Sequence, residues 1–430
     1  MIELMLILFG AEVARRKAVL LGLAGLGWML LGAFFFVNAF TEDARIPALY
    51  FALPLMLDGG LSLVAAYGSK GAGRSLRYSK ALAFLLIAGL IIAMPRGGGM
   101  IIGFLVGSFL VADAVWRATS AHLVRFRRWR RTVCIAGIEF LLGLWSFLPW
   151  PSYWQGEVGS DVGLLLMVSA WRICALAWRL VRLPPGAPMS RIVAEGLLRA
   201  GAGPAIARAT AEQGGLPGEH RRIPVTVHVW TPTGELASID RSISRYIAAR
   251  DERGVISTGH AALEAGELYI SHYPAVEIER SGADFRRTLR ATQDNDVPGR
   301  FLPSYAEESA GWCASTRQVT IPGIDAAALH RFWAHYGADA TYNLTSRNCS
   351  SSVAAALDAG LEGIFAPYSG SPYCVLRLLF SPELWIAAQL RATAGSMAWT
   401  PGIVLDYARA LSYIAGLPGR LGWREAARRE

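Results

Sequence analysis

The sequence predicts a multi-domain protein: an all-α bundle of six transmembrane helices in three tandem hairpins, followed by an α+β domain with a small antiparallel sheet. Three observations carry this expectation. Six apolar runs approach bilayer length, basic residues fall in alternate loops, and after residue 222 the pattern changes to short alternating strands and amphipathic helices.

The two halves differ in charge. Residues 1–183 hold 18 Lys and Arg against nine Asp and Glu, which accounts for the whole formal charge of +9, while residues 184–430 are balanced. The basic residues sit between apolar runs and not on a groove-facing surface, which argues against nucleic acid as a partner. The bilayer is the partner they fit. Five cysteines (Cys134, Cys174, Cys313, Cys349, Cys374) are scattered without CxxC or His-rich spacing, so neither a disulfide framework nor a metal site is expected. No cofactor is expected either.

The spans read as 18–40, 46–67, 78–95, 99–116, 132–150 and 162–178, within the 1–183 membrane domain. Basic residues number fifteen on one side, including Arg15, Arg16, Lys17, Arg74, Arg117, Arg127, Arg128 and Arg182, against Arg45 and Arg96 on the other. That asymmetry orients both termini and the soluble domain toward the cytoplasm, in a bacterial inner membrane. The opening MIELMLILFG is short, contains Glu3 and lacks a basic leader, so it reads as an interfacial segment and not as a signal peptide.

Small details repeat from hairpin to hairpin. Asp58, Asp113 and Ser169 recur in the second span of each pair; Gly32, Gly89 and Gly143 mark the first spans, and Asn38, Pro95 and Pro149 follow them. This pattern, over about residues 13–183, resembles the HdeD-like acid-resistance membrane family, and the resemblance implies a stress-related membrane role. Homo-oligomerisation through this domain is compatible with it. Asp58, Asp113, Glu139 and Arg172 lie near span depth, where an ionised group must be paired or neutralised. They read either as a structural ion-pair set around Arg172 or as a proton-responsive cluster; the lack of a continuous polar path favours the first.

Residues 184–222 form a Pro/Gly/Ala-rich tether. In the domain 223–375, VTVHVW alternates as a strand, a helix is expected around 235–250, and STGHAALE and ELYISHYPAVEIE follow as a hairpin. A three-residue loop Ala265-Gly266-Glu267 would set His260 opposite His272 on one face. GIDAAALHRFWAHYGA reads as an amphipathic helix, and in YNLTSRNCSSSVAAALDAG a helix begins at Cys349, with Asn348 or a following Ser as cap and Gly360 as stop. A cysteine in a first helical turn has its thiolate favoured by the free N–H groups and the dipole. His228, His330 and His335 read as structural, and Cys313 and Cys374 as bystanders.

Two strand histidines preceding a helix-start cysteine resemble the circularly permuted branch of the NlpC-type papain-like superfamily, which includes lecithin:retinol acyltransferase relatives. The resemblance spans about 255–360. It implies Cys349 as nucleophile, His260 as general base and His272 as the group orienting His260. Ser350, Ser351 and Ser352 depart from the bulkier residues that follow the cysteine in the acyltransferases, which leaves a peptide or acyl substrate open.

The segment 376–430 carries LRLLFSPELWIAAQL and TPGIVLDYARALSYIAGL, apolar on a broad face but interrupted by charge, and reads as helices lying on the membrane or packing on the enzyme core. The combined expectation is a membrane-anchored cysteine hydrolase cleaving an amide, ester or thioester. The alternatives are a non-catalytic stress-response membrane protein with a soluble binding module, and a lipid-directed acyltransferase or lipase.

Overall fold

The computed structural model describes residues 1–41, 50, 52–53, 55–57, 59–60, 63, 72–94, 98–125, 129–150, 153–184, 187–189, 221–231, 249–250, 256–257, 259–276, 278, 285–396 and 398–420. Asp58, most of the tether and residues 235–248 of the helix expected around 235–250 lie outside them; Ala249 and Arg250, the described end of that stretch, form a short strand paired with Ile256 and Ser257 instead.

The chain opens with α1 (Ile2–Phe9) and α2 (Ala11–Arg16) and continues through α3 (Ala18–Thr41), α4 (Ala72–Ala93), α5 (Gly98–Val124), α6 (Trp129–Trp145) and α7 (Tyr153–Val181). It divides into two compact units, one of residues 17–118 and 132–181, the other of 1–16, 119–131 and 182–430.

The first unit is helical in its described residues. Three helical stretches there are long and apolar enough to cross a membrane: Ala18–Thr41, Gly98–Val124 and Gly159–Val181; Ala81–Ala93 is a shorter apolar helix. Side-chain placement in α3 inverts that of a water-soluble helix. Its buried residues are Ala18, Gly25, Gly32 and Ala39, while Leu20, Leu23, Leu30 and Phe34 face outward. Small residues at a seven-residue spacing form one seam along the helix, and that seam allows close backbone approach where hydrocarbon offers no hydrophobic drive. At the tightest crossing, a Cβ on Gly163 of α7 would lie 2.7 Å from the Gly32 carbonyl oxygen. Gly143 of α6 meets Gly107 of α5 in the same way, whereas Gly89, the third repeat glycine, meets nothing within 4 Å.

The ionisable set differs from expectation. Arg117, on α5, pairs with Asp113 at 2.5 Å and with Glu139 at 3.5 Å. Arg172 lies exposed on α7, and the reach of Arg117 one turn along its own helix gives it the bridging role expected of Arg172. Asp161, just ahead of the expected span 162–178, is buried in α7 and accepts a hydrogen bond from Ser146 Oγ at 2.7 Å.

In the second unit an antiparallel sheet organises β1 (Arg222–Trp230), β2 (His260–Ala265), β3 (Leu268–Pro274), β4 (Val297–Phe301), β5 (Arg317–Asp325) and β6 (Thr341–Tyr342), in the order β5-β1-β2-β3-β4-β6. The helices are α8 (Tyr305–Gly311), α9 (Ala326–Tyr336), α10 (Cys349–Leu361), α11 (Pro372–Leu379), α12 (Pro382–Ser396) and α13 (Pro401–Ala415). One sheet face, carrying Val225, Val227, Leu263, Ile270 and Ile321, joins the main core with α9, α10 and α13; the other carries a smaller cluster of Trp230, Ala262 and Tyr269, packed by Leu302 and Tyr305.

Two sequence boundaries shift. α1 is not interfacial: Leu4, Leu8 and Phe9 belong to the main core of this unit, and the backbone N–H of Gly363 and Phe365 donate to the carbonyls of Ile7 and Leu8. An eight-residue apolar helix is too short to span a bilayer, and a protein core satisfies its apolar side chains as well as lipid does. Nor do the last helices form a separate layer after residue 375. Val404, Leu405, Tyr407 and Leu411 of α13 are buried beside strand residues, so 376–420 completes the fold begun at 222.

Candidate active site

Cys349 is the first residue of α10, and local chemistry fixes it there. Asn348 caps the helix: its side chain accepts from Ser351 N at 2.8 Å, and Ser351 Oγ accepts from Asn348 N at 2.8 Å, a reciprocal capping box. Asn348 Nδ2 also donates to the carbonyls of Leu344 and Trp399. Ser352 Oγ donates to Cys349 O at 2.8 Å, and Ser350 Oγ lies 3.8 Å from the cysteine sulfur. The serines that depart from the acyltransferase pattern are thus the groups that hold the helix start.

His260 opens β2. The hairpin closes through a two-residue turn, with Ala265 opposite Leu268 and Gly266 at φ +63°, the position where type II′ turns place glycine. This register is one residue off the expected one and changes the faces, because side chains alternate along a strand. His260 comes opposite Tyr273, and their rings stack at 3.9 Å. His272 comes opposite Ala261 on the other face. There its Nδ1 lies 3.0 Å from Tyr336 Oη and its Nε2 3.3 Å from the Ala340 carbonyl, and burial holds its pKa down to about 4. It is a neutral, buried residue of the core and does not orient His260.

That role falls to Glu308, on α8, which the sequence reading passed over. Glu308 Oε1 lies 3.1 Å from His260 Nε2. Tyr273 Oη donates to Glu308 Oε1 at 2.6 Å, and Tyr269 Oη donates to Oε2. Ser271 Oγ lies 2.9 Å from the same His260 nitrogen. Tyr269, Ser271 and Tyr273 are alternate residues of β3 and share the face of His260. The signal for Glu308 was therefore the row of hydroxyls in LYISHY, visible only once the turn is placed correctly.

Electrostatics follow from this arrangement. Burial opposes charge on His260, but the Cys349 sulfur and the Glu308 carboxylate outweigh it and raise the imidazole pKa to about 9. Burial likewise opposes the Cys349 thiolate, and the charge and hydrogen bond of His260, with a backbone hydrogen bond from Ala261, outweigh it and lower the thiol pKa. Burial would neutralise Glu308, yet His260 and the two tyrosines hold its pKa down to about 2. Tyr269 and Tyr273 are shifted upward by burial and by that carboxylate, and stay protonated donors. With Nε2 engaged by Glu308 and Ser271, Nδ1 is the nitrogen left for the sulfur. The cysteine and histidine thus favour a thiolate–imidazolium pair.

Cys349 and His260 are 6% and 3% exposed, so the pair is shielded from bulk water. Trp230 packs on the His260 ring at 5.5 Å, and the exposed Trp312 stacks on Trp230 at 5.7 Å. A cleft of about 620 Å³ lies at the turn end of the β2–β3 hairpin, lined by Glu267, Leu268, Tyr269, Leu302, Trp333 and Gly337, and neither Cys349 nor His260 lines it.

His228 bridges Ser315 and Glu264 and stacks on Tyr305; His335 Nδ1 lies 2.8 Å from the Arg331 carbonyl; His330 is exposed. Cys313 is exposed, and burial raises the Cys374 thiol pKa to about 11. Among the described residues no group of three or more His, Cys, Asp or Glu is arranged to hold a metal ion. Compared with models of protein families, with curated proteins and with solved structures, the chain matches none.

Proposed function

We propose that this protein is a membrane-anchored cysteine hydrolase. One observation carries the reading: a helix-start cysteine and a strand histidine with opposed pKa shifts, the histidine held from behind by a buried carboxylate. That is a nucleophile, a base and an orienting group in order. The Cys349 thiolate attacks the carbonyl carbon of an amide, ester or thioester, and the protonated His260 passes its proton to the leaving nitrogen, oxygen or sulfur as that bond breaks. Water then gives a proton to His260 and attacks the acyl-enzyme carbonyl; the thiolate leaves and the acid is released. Glu308 keeps the imidazole oriented and compensates its charge throughout.

The order of parts, a histidine-bearing hairpin before a cysteine-bearing helix that packs on an antiparallel sheet, supports the likeness to the permuted NlpC-type branch. Its third group here is a helix-borne Glu. A six-span, HdeD-like membrane domain is compatible with chain continuity. On this reading residues 17–118 hold four crossings and 132–181 two, which returns residues 1–16, 119–131 and the chain after 181 to one side. The basic loops assign the shared side to the cytoplasm of a bacterial inner membrane.

The test is labelling by a thiol-directed activity probe in intact membranes. Wild type should label at Cys349, His260→Ala far more slowly, and Cys349→Ala not at all at that site. Equal labelling of wild type and Cys349→Ala would overturn the reading and leave a binding module.

A further inference from the structure

α11 and the start of α12 present an exposed apolar surface. Tyr373, Leu376, Phe380 and Trp385 are 59%, 51%, 58% and 52% exposed. Tyr373, Leu376 and Phe380 follow at helical spacing on one side of α11, whose opposite side buries Cys374 and Leu378. Trp385 Nε1 donates to the Leu379 carbonyl at 2.7 Å, which fixes the indole against the end of α11 and joins the residues into one patch. Arg377 lies among them in the last turn.

We infer that this patch inserts into the surface of the bilayer that the chain's own helices cross. The residue types are those of an interfacial anchor: two aliphatic or phenyl side chains to enter the acyl boundary, a Tyr and a Trp with polar atoms suited to headgroup depth, and a cation suited to anionic lipid. The chain keeps the unit that carries the patch tethered to the apolar helices. It passes between the two compact units at four points, and Met189, buried in the soluble unit with its N–H donated to Glu362, follows the last residue of α7 by eight residues. Fully extended, eight residues span at most about 28 Å. A patch of this composition on a unit so tethered meets lipid without any diffusional search. The inference does not depend on the chemistry of Cys349.

The experiment places a nitroxide spin label on Leu376→Cys in the full chain, in a Cys134→Ser, Cys313→Ser, Cys349→Ala background, reconstituted in bilayers of phosphatidylcholine and phosphatidylglycerol. His330→Cys on the exposed side of α9 serves as the aqueous reference, and Phe380→Cys repeats the measurement at a second patch position. Power saturation should show both patch labels colliding more with oxygen than with a water-soluble nickel chelate, and the reference label the reverse. Patch labels as open to nickel as the reference would overturn the inference. So would labels shielded from both reagents, which would mean that protein, either the chain's own spans or a second copy, covers the patch.

Discussion

The Glu308 carboxylate lies 3.1 Å from His260 Nε2 and takes hydrogen bonds from Tyr269 and Tyr273, while His260 on its other side meets the sulfur of Cys349. Glu308 is 3% exposed, so its charge is balanced by the imidazolium and the two phenols and not by water. The state of the carboxylate is thereby linked to that of the thiol.

Glu308→Gln keeps the shape and removes the charge. His260 should then lose its preference for the protonated form and the Cys349 thiol pKa should rise. Alkylation by iodoacetamide near neutral pH should slow about tenfold for each unit of that rise. Mass-spectrometric rates for the Cys349 peptide check it, and a rate equal to wild type would show that Glu308 does not act through His260.

The pH dependence follows from the same shifts. The ion pair requires a pH above the lowered thiol pKa and below about 9, where His260 gives up its proton. His260 is raised from its ordinary 6.5, so its contribution to stability is complete below 6.5 and lost as pH rises through about 9. Glu308 is lowered from 4.5, so its contribution is present above 4.5 and lost as pH falls through about 2. Thermal unfolding of wild type should show an alkaline loss near pH 9 that His260→Gln lacks.

His272→Ala separates structure from catalysis. It removes a buried ring bonded to Tyr336 and leaves a cavity, which should destabilise the soluble unit by roughly 2–4 kcal/mol. Probe labelling of Cys349 at low temperature should remain within a few-fold of wild type. Loss of labelling in folded protein would restore His272 to the site.

In the membrane unit, Gly163→Ala drives a methyl into the Gly32 carbonyl, whereas Gly137→Ala meets nothing within 4 Å. The first should destabilise the helix pair by roughly 1–3 kcal/mol. The second should be neutral or slightly stabilising, since alanine is the better helix former. Thermal shift in detergent distinguishes them.

Local signals were legible and pairings were not. VTVHVW alternates and is a strand; Asp325 and Asn348, both good cap residues, stand at the starts of α9 and α10. β5 escaped reading because Pro322 and Gly323 interrupt RQVTIPGID, yet it pairs along β1 with only one irregularity. The hairpin strands were found but their register was not, since Gly266-Glu267 closes a turn that three residues would close equally well on paper. α1 defeated reading for a different reason: MIELMLILF has the same composition whether it faces lipid or a protein core. Glu308 comes from a separate helix, and the alternate hydroxyls of Tyr269, Ser271 and Tyr273 point to a buried acceptor only once the hairpin register is known.

The lodging of α1 under α10 sets an order of assembly. The carbonyl of Leu8 receives the N–H of Phe365, so the ends of that hydrogen bond are synthesised more than three hundred residues apart. Between them lie the three described helices long and apolar enough to cross a membrane. An apolar octapeptide must therefore wait, kept from aggregation or from settling into lipid, until the sheet and α13 have emerged to receive it. Long-range closure of this kind is slow and exposed to misfolding. The core therefore lacks one of its helices until the loop of some three hundred and fifty residues between Leu8 and Phe365 has closed.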